Sequence, residues 1–284
     1  MKIGSDEHKE LFCRLFTESH QHFEPARLPW PDLDDAALAR LKAVPFWQEV
    51  LNTELRAGRI VAAFAPTLGD TLLREAVALQ GFEEARHAEL LRVMIARYGI
   101  EATELPAAPD ATDVETAFID FGFGECFDSF LGFGAFKIAR QSHFLPDGMF
   151  DIFETLMYEE TRHIVFFINW MAWREARHGR PWAWARSMTS LWYYGRALKR
   201  LVGTARRGAE LNDGKDFSAT QASMFLDGFT FSRFVADCHA ENLRRMAGFD
   251  PLLLQPRLLP AVADAALRAL RLWRRERGPR PAAG

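Results

Sequence analysis

FEEARH at residues 82–87 and YEETRH at residues 158–163 are nearly the same six-residue motif, written twice in the chain. Both copies contain Glu-x-x-His, and residues three apart on a helix lie on one face. If both copies are helical, each can aim one carboxylate and one imidazole at a single point. The repeat therefore predicts a polar site between two helices, built from Glu84 and His87 on one and from Glu160 and His163 on the other.

The apolar residues of the chain are spaced as they are in helices. From about Pro45 onward they recur every three or four positions, and no alternating strand pattern is present. Pro66 and Gly69 interrupt this spacing, and Asp70 is placed to cap the helix that follows. Residues 112–115 have the form of a capping box that opens another helix at Thr112. We predict an all-α fold whose core is an antiparallel four-helix bundle, with helices at about residues 46–64, 71–98, 112–140 and 147–177.

Further helices are expected on both sides of this core. An amphipathic segment at residues 7–19 and a proline-rich strap at 24–31 precede it, and helices at about 182–203 and 219–246 follow. The basic tail at 252–277 is typical of a solvated terminal helix, or of one that binds a membrane surface or a partner. We expect one domain over 1–284, composed of an N-terminal extension (1–45), a core (46–176), accessory helices (177–250) and a basic amphipathic tail (251–284).

Two lone carboxylates on the other core helices can complete the site. At about 1.5 Å of rise per residue, Glu54 is level with Glu84 to within about one helical turn, and so is Glu125 with Glu160. Glu125 lies among glycines and phenylalanines, where an unpaired carboxylate would be costly. The rival acids on these two helices are Glu49, Asp120 and Asp128.

The charge of such a cluster calls for cations. Four carboxylates pointed into one apolar core repel each other, so metal-free packing predicts raised pKa values or instability. Two divalent cations would cancel the four charges. Carboxylate and imidazole ligands without thiolate suit iron or manganese, with zinc also possible. The predicted metal ligands are Glu54, Glu84, His87, Glu125, Glu160 and His163.

Over residues 46–173 this ligand pattern resembles that of the ferritin-like di-iron carboxylate superfamily. The resemblance implies two iron ions, with manganese or a mixed pair as alternatives. It implies that Glu84 and Glu160 bridge the ions and that Glu54 and Glu125 are terminal ligands. The subfamily is not assigned.

The resemblance also implies an activity. The Glu-x-Arg-His form recurs among oxidases and oxygenases of the family, and the resemblance implies activation of O2 to attack a bound substrate. We expect this substrate to be a small, largely apolar or aromatic metabolite, with electrons from a separate reductase. Arg86 and Arg162 of the two motifs are expected to face outward and pair with nearby acids.

Other functions stay open as alternatives. The leading one is iron handling or peroxide defence, as in ferritins and rubrerythrins. The extra helices, the aromatic-rich composition and the missing Cys-x-x-Cys motif disfavour it. A radical-generating subunit of the ribonucleotide-reductase type, a metal-free helical scaffold and a di-metal hydrolase are weaker alternatives.

The third core helix contains four glycines, Gly122, Gly124, Gly132 and Gly134, each of which costs a helix interior about 1 kcal/mol relative to alanine. Close packing against another helix would offset this cost. Room beside Glu125 for an apolar substrate, or a π-bulge, would also explain it.

Several polar residues outside the six are candidates for lesser roles. His239 is a candidate third imidazole, although a lone histidine is more often found in packing or on the surface. His8, His20 and His22 are expected to be solvated. Asp128, one turn from Glu125, is a candidate hydrogen-bonding partner of the site or a solvent-facing acid.

Composition excludes several classes of function. A net charge of −3 disfavours nucleic acid as a partner, and three distant cysteines form no disulfide framework or zinc knuckle. The 24 Phe and 8 Trp against 4 Tyr predict a dry, aromatic interior. The N-terminal residues turn acidic before any apolar stretch, and no window is long and uncharged enough to span a membrane. We therefore expect a cytoplasmic protein without a transmembrane segment, with a homodimer possible.

Overall fold

The computed structural model describes residues 1–107, 111–180, 182–211 and 230–276. Over these residues the regular structure is helical and includes no strand, which confirms the all-α prediction. The α-helices are α1 (Asp6–Glu18), α2 (Asp35–Ala43), α3 (Trp47–Phe64), α4 (Thr71–Tyr98), α5 (Val114–Gln141), α6 (Asp147–Arg177), α7 (Ala183–Leu211), α8 (Phe231–Met246) and α9 (Leu258–Glu276).

Local capping residues set the ends of the helices that carry the site. Asp70 caps α4, as predicted, because its side chain accepts a hydrogen bond from the backbone N–H three residues on. Gly99, with φ of +60°, ends the same helix in the left-handed conformation that glycine adopts without strain. Asp113 caps α5 in the same way as Asp70 caps α4. The capping box predicted at Thr112 is therefore wrong by one residue.

Three peripheral helices differ from the prediction. The nine-residue α2, capped by Asp34, was not predicted. Helix α7 continues through Gly203 to Leu211, where an end at the glycine was expected. Helix α9 begins only after Pro256, since a proline disfavours helical structure in the residue before it. The first part of the helix predicted at 219–246, over 219–229, lies outside the described residues.

Helices α3 and α4 form a close antiparallel pair. A Cβ added to Gly58 would lie 3.4 Å from the backbone nitrogen of Ala85, and one added to Gly81 would lie 3.3 Å from that of Ala62. Residue numbers therefore rise along α3 as they fall along α4. The two glycines let the backbones approach where the predicted ligands lie.

An aromatic core joins α5 to α6 in the same antiparallel sense. Phe118 packs edge-on against Trp170 with ring centroids 5.0 Å apart, and Phe123 packs against Phe167 at 5.1 Å. All four rings are buried, and burying each apolar side chain contributes about 1.5–3 kcal/mol. This core confirms the dry aromatic interior expected from composition.

The remaining helices pack around these four. Helix α1 contacts α4 and α6, both α7 and α8 contact α5, and α9 contacts α8. The three cysteines are buried and free. None of the described helices is both long enough and apolar enough to cross a membrane.

Candidate metal centre

All six residues predicted as ligands lie together where α3, α4, α5 and α6 meet. Their carboxylate oxygens and ring nitrogens fall into two groups, and within each group the atoms lie within 4.8 Å of one another. Glu84 of α4 and Glu160 of α6 belong to both groups. Two neighbouring cations that share carboxylates need such an overlap. The first group is Glu54, Glu84, His87 and Glu160, and the second is Glu84, Glu125, Glu160 and His163.

Each histidine faces the shared glutamate of the other motif. His87 Nδ1 lies 3.0 Å from Glu160 Oε1, and His163 Nδ1 lies 3.0 Å from Glu84 Oε1. The glutamates within the same motif lie farther away, at 3.8 and 3.9 Å. Glu54 Oε2 approaches His87 Nδ1 to 3.5 Å. The repeated motif thus produces two interlocked half-sites.

The atoms that face this centre lack hydrogen-bond partners. The Nδ1 atoms of His87 and His163 are buried and make no hydrogen bond. Glu84 Oε2, Glu125 Oε2 and Glu160 Oε1 are buried without a partner as well. Leaving such atoms unsatisfied costs about 1–3 kcal/mol each, and more when they are charged. Cations between these atoms would satisfy them all, so the residues present fit a metal centre.

Protons take the place of cations in the metal-free cluster. Burial raises the pKa of Glu54 to about 7, although the nearby His87 ring lowers it in part. Burial and the nearby carboxylates raise the pKa of Glu125 well above its usual value. Burial alone would lower the pKa of His163, but the charge of Glu84 and its neighbours raises it to about 10. Metal binding would displace these protons.

The outer nitrogen of each histidine bonds a glutamate from the other motif. His87 Nε2 lies 3.0 Å from Glu159 Oε2, and His163 Nε2 lies 2.8 Å from Glu83 Oε2. With Nε2 donating to a carboxylate, the ring is held in this orientation, and once Nδ1 loses its proton it would present a lone pair to a cation. The first glutamate of each motif therefore supports the histidine of the other.

Arg86 and Arg162 complete this supporting network. Only 6% and 1% of them is exposed, so the expectation that they face outward is wrong. They do pair with acids, since Arg162 Nη1 donates to Glu83 at 2.8 Å and Arg86 donates to Glu159. Burial alone would raise the pKa of Glu83, but bonds to His163 and Arg162 hold it well below its usual value. Glu83 therefore stays ionised and keeps its role as acceptor.

The sequence prediction missed Glu83 and Glu159. The signal was present, because a glutamate precedes the ligand glutamate in both copies of the motif. The i, i+3 spacing selects the glutamate three positions before each histidine. Glu83 and Glu159 lie one position before those ligand glutamates, so that spacing does not select them. Glu83 of α4 bonds the histidine of α6, and Glu159 of α6 bonds the histidine of α4. These contacts can be recognised only once α4 and α6 are packed together.

The N-terminal segment 16–21 closes this network from outside. His20 Nδ1 lies 2.5 Å from Glu83 Oε1, so the expectation that His20 is solvated is wrong. Arg86 and Arg162 both donate to backbone carbonyls of the segment. The buried guanidinium groups thereby find partners for donors that the glutamates leave unused.

The other histidines lie away from the centre. His8 is buried rather than solvated, because α1 packs on α6 and His8 Nε2 lies 3.1 Å from Asn169 Oδ1. His22 is exposed, as expected. His239 is half-buried on α8, and it belongs to neither group of ligand atoms.

The rival acids do not join the centre. Glu49 and Asp128 are exposed, and Asp120 bonds Arg196 Nη2 at 2.6 Å. The carboxylates that orient the two histidines come from the motifs themselves, not from Asp128, which acts on Glu125 only by raising its pKa further.

Two of the four glycines of α5 are explained by packing. A Cβ on Gly122 would overlap the ring of Phe167, and one on Gly134 would overlap a side chain of α8. A Cβ on Gly124 or Gly132 would have no atom within 4 Å. The helix is regular α-helix throughout, without a π-bulge. Gly124 immediately precedes the predicted ligand of α5, and the surrounding packing leaves room for a side chain at this position.

No protein-family model, no curated protein and no solved structure matches this chain.

Proposed function

We propose that this chain is a non-haem di-iron enzyme of the ferritin-like carboxylate superfamily. In this proposal it activates O2 to oxidise a small, largely apolar or aromatic metabolite. The observation that carries the proposal is the pair of overlapping groups of buried ligand atoms that share Glu84 and Glu160. The antiparallel pairs α3–α4 and α5–α6 would form the four-helix bundle that holds them.

The six residues divide naturally between two ions. Glu54 and His87 would hold one ion, Glu125 and His163 the other, and the two shared glutamates would lie between both. Four carboxylate charges balance two divalent cations, and this donor set suits iron or manganese. A pair of iron(II) ions held there would supply electrons to O2, and a separate reductase would restore them.

Residues of the chain prepare the centre for this chemistry. Glu83 and Glu159 accept hydrogen bonds from the Nε2–H groups of the histidines, which orients both Nδ1 atoms inward. Arg86 and Arg162 hold these glutamates in place. The four lie within buried protein, where water is excluded and electrostatic interactions are stronger than in water.

An apolar substrate suits the surroundings of Glu125. Phe123 and Cys126 beside it are buried, while a Cβ on Gly124 would meet no atom within 4 Å. A small aromatic or aliphatic molecule in that space would lie beside the second half-site. Substitution of Gly124 by a larger residue would then block the substrate without disturbing the ligands.

The test is O2 consumption by the anaerobically Fe(II)-loaded chain, screened against small aromatic and aliphatic compounds. We expect one compound class to accelerate O2 use and to yield an oxidised product. Gly124→Phe should abolish the acceleration while keeping the iron, and Gly132→Phe is the matched control two turns away. Uptake of many iron ions per chain into a hollow assembly, with no compound oxidised, would refute the proposal and favour iron storage as the function.

A further inference from the structure

Charge is distributed unevenly along the chain. Residues 176–209 contain eight Lys and Arg and no Asp or Glu, whereas the remaining 250 residues carry a net charge of −11. Helix α7 forms most of this basic stretch. A strong local positive charge on an acidic protein marks a surface for an anionic partner.

One side of α7 is apolar and exposed. Trp184, Met188, Leu191, Trp192 and Leu198 have between 47% and 70% of their surface exposed. At 3.6 residues per turn their positions fall within about a third of the helix circumference, so they share one side of the helix. We call these five residues the outer face of α7.

The opposite side of α7 is the one that packs on the protein. Tyr194 and Ala197 are buried, and the Tyr194 ring packs edge-on against Phe123 and Phe127 of α5 at 4.9 and 5.7 Å. The outer face is therefore exposed while α7 is docked on α5 through its other side. Its large apolar residues point away from the core while α7 is docked.

Basic residues border the outer face. Arg196 lies over the Trp192 ring at 4.8 Å and bonds Asp120 of the core at 2.6 Å. Lys199 is exposed one position after Leu198. A tryptophan-rich apolar face with cationic flanks is the composition of helices that lie in the headgroup region of a membrane.

Charge selects among occupants of this face. A second copy docked through the same face would bring two stretches of +8 together, and like charges oppose that contact. A nucleic acid would match the charge but not the exposed methionine and leucines. A surface of anionic lipid matches both the cationic flanks and the apolar side chains.

We propose that the outer face of α7 docks the protein on an anionic membrane surface, with α7 parallel to the membrane and without crossing it. The tryptophan and leucine side chains enter the headgroup boundary, and the cations contact lipid phosphates. The metal centre is not part of this contact, so the proposal stands independently of the proposed activity.

The experiment is vesicle flotation with the full chain. Vesicles of phosphatidylcholine and phosphatidylglycerol in roughly equal amounts should bind the protein at least about tenfold more strongly than phosphatidylcholine alone. Brominated lipids in the anionic vesicles should quench tryptophan fluorescence, since the indoles enter the bilayer boundary. Absence of binding to anionic vesicles would overturn the proposal, and so would binding without quenching.

Two variants locate the contact. Trp184→Glu and Leu191→Glu should each weaken anionic-vesicle binding about tenfold or more, because a carboxylate would meet anionic lipid. Leu105→Glu is the matched control, as Leu105 is 60% exposed on the loop before α5. Melting temperature and metal content should be unchanged in all three. Equal loss in the control, unchanged binding in Leu191→Glu, binding of RNA but not vesicles, or a dimer with the outer face buried would refute the proposal.

Discussion

Replacing Glu83 by glutamine removes a buried negative charge that three side chains bond beside the metal centre. The Glu83 carboxylate is fully buried and accepts hydrogen bonds from Arg162 Nη1 and His163 Nε2, both at 2.8 Å, and bonds His20 at 2.5 Å. Glutamine preserves the volume but not the negative charge. In Glu83→Gln the Arg162 guanidinium, 1% exposed, is left as a buried cation without a counter-charge.

The size of the effect follows from this burial. Removing one partner of a buried ion pair costs about 3–5 kcal/mol, out of a total stability of about 5–15 kcal/mol for a folded domain. The control Glu104→Gln breaks an ion pair of similar geometry, with Arg92 at 2.6 and 3.0 Å. Both of those side chains are more than 40% exposed, so its cost should be far smaller than that of Glu83→Gln.

Urea unfolding of the metal-free variants near neutral pH measures both free energies. Because the pKa of Glu83 is lowered in the folded protein, its stabilising contribution is present at neutral pH and is lost only in acid. Metal titration of the same variant should show affinity about 10–100-fold weaker, since His163 loses its orienting acceptor. Equal costs for Glu83→Gln and Glu104→Gln would refute the supporting role assigned to Glu83.

Two further predictions concern packing and protons. Gly132→Ala should raise the free energy of unfolding by up to about 1 kcal/mol, because alanine favours the helix and meets no neighbour there. Gly134→Ala should lower it by about 1–3 kcal/mol, because its Cβ would overlap Cys238. Urea unfolding measures both changes, and shifts of the same sign would contradict the packing of α8 on α5. Metal binding at neutral pH should release protons and become tighter as pH rises, because the pKa of Glu54 is about 7 and that of His163 about 10 in the metal-free centre. Calorimetry in buffers of different ionisation enthalpy measures this proton release. A binding heat that does not depend on the buffer would contradict the prediction.

The parts of the fold and site that follow from local geometry were predictable from the sequence. An i, i+3 spacing places Glu84 and His87 on one helical face whatever surrounds them, and a fixed rise per residue brings Glu54 level with them. Asp70 caps α4 by accepting a hydrogen bond from the backbone N–H of Leu73, three residues on. Each of these needs knowledge of no more than one helix or one antiparallel pair.

The parts that depend on contacts distant in sequence were not predictable in the same way. His20 meets Glu83 across 63 positions of sequence, and Glu159 meets His87 across 72. Helix α2 has nine residues, too few to be stable alone, and its Leu41 is fully buried against the core. Only the packed structure supplies these partners.

The account depends most on two cations held by six side chains. Anaerobic Fe(II) titration of the metal-free chain should reach two tightly bound ions per chain in the wild type and in Glu49→Ala, since Glu49 is exposed on α3 away from the centre. Glu160→Ala should retain neither ion, because Glu160 belongs to both groups of ligand atoms. Retention of both ions by Glu160→Ala, or binding of fewer than two by the wild type, would contradict the assignment.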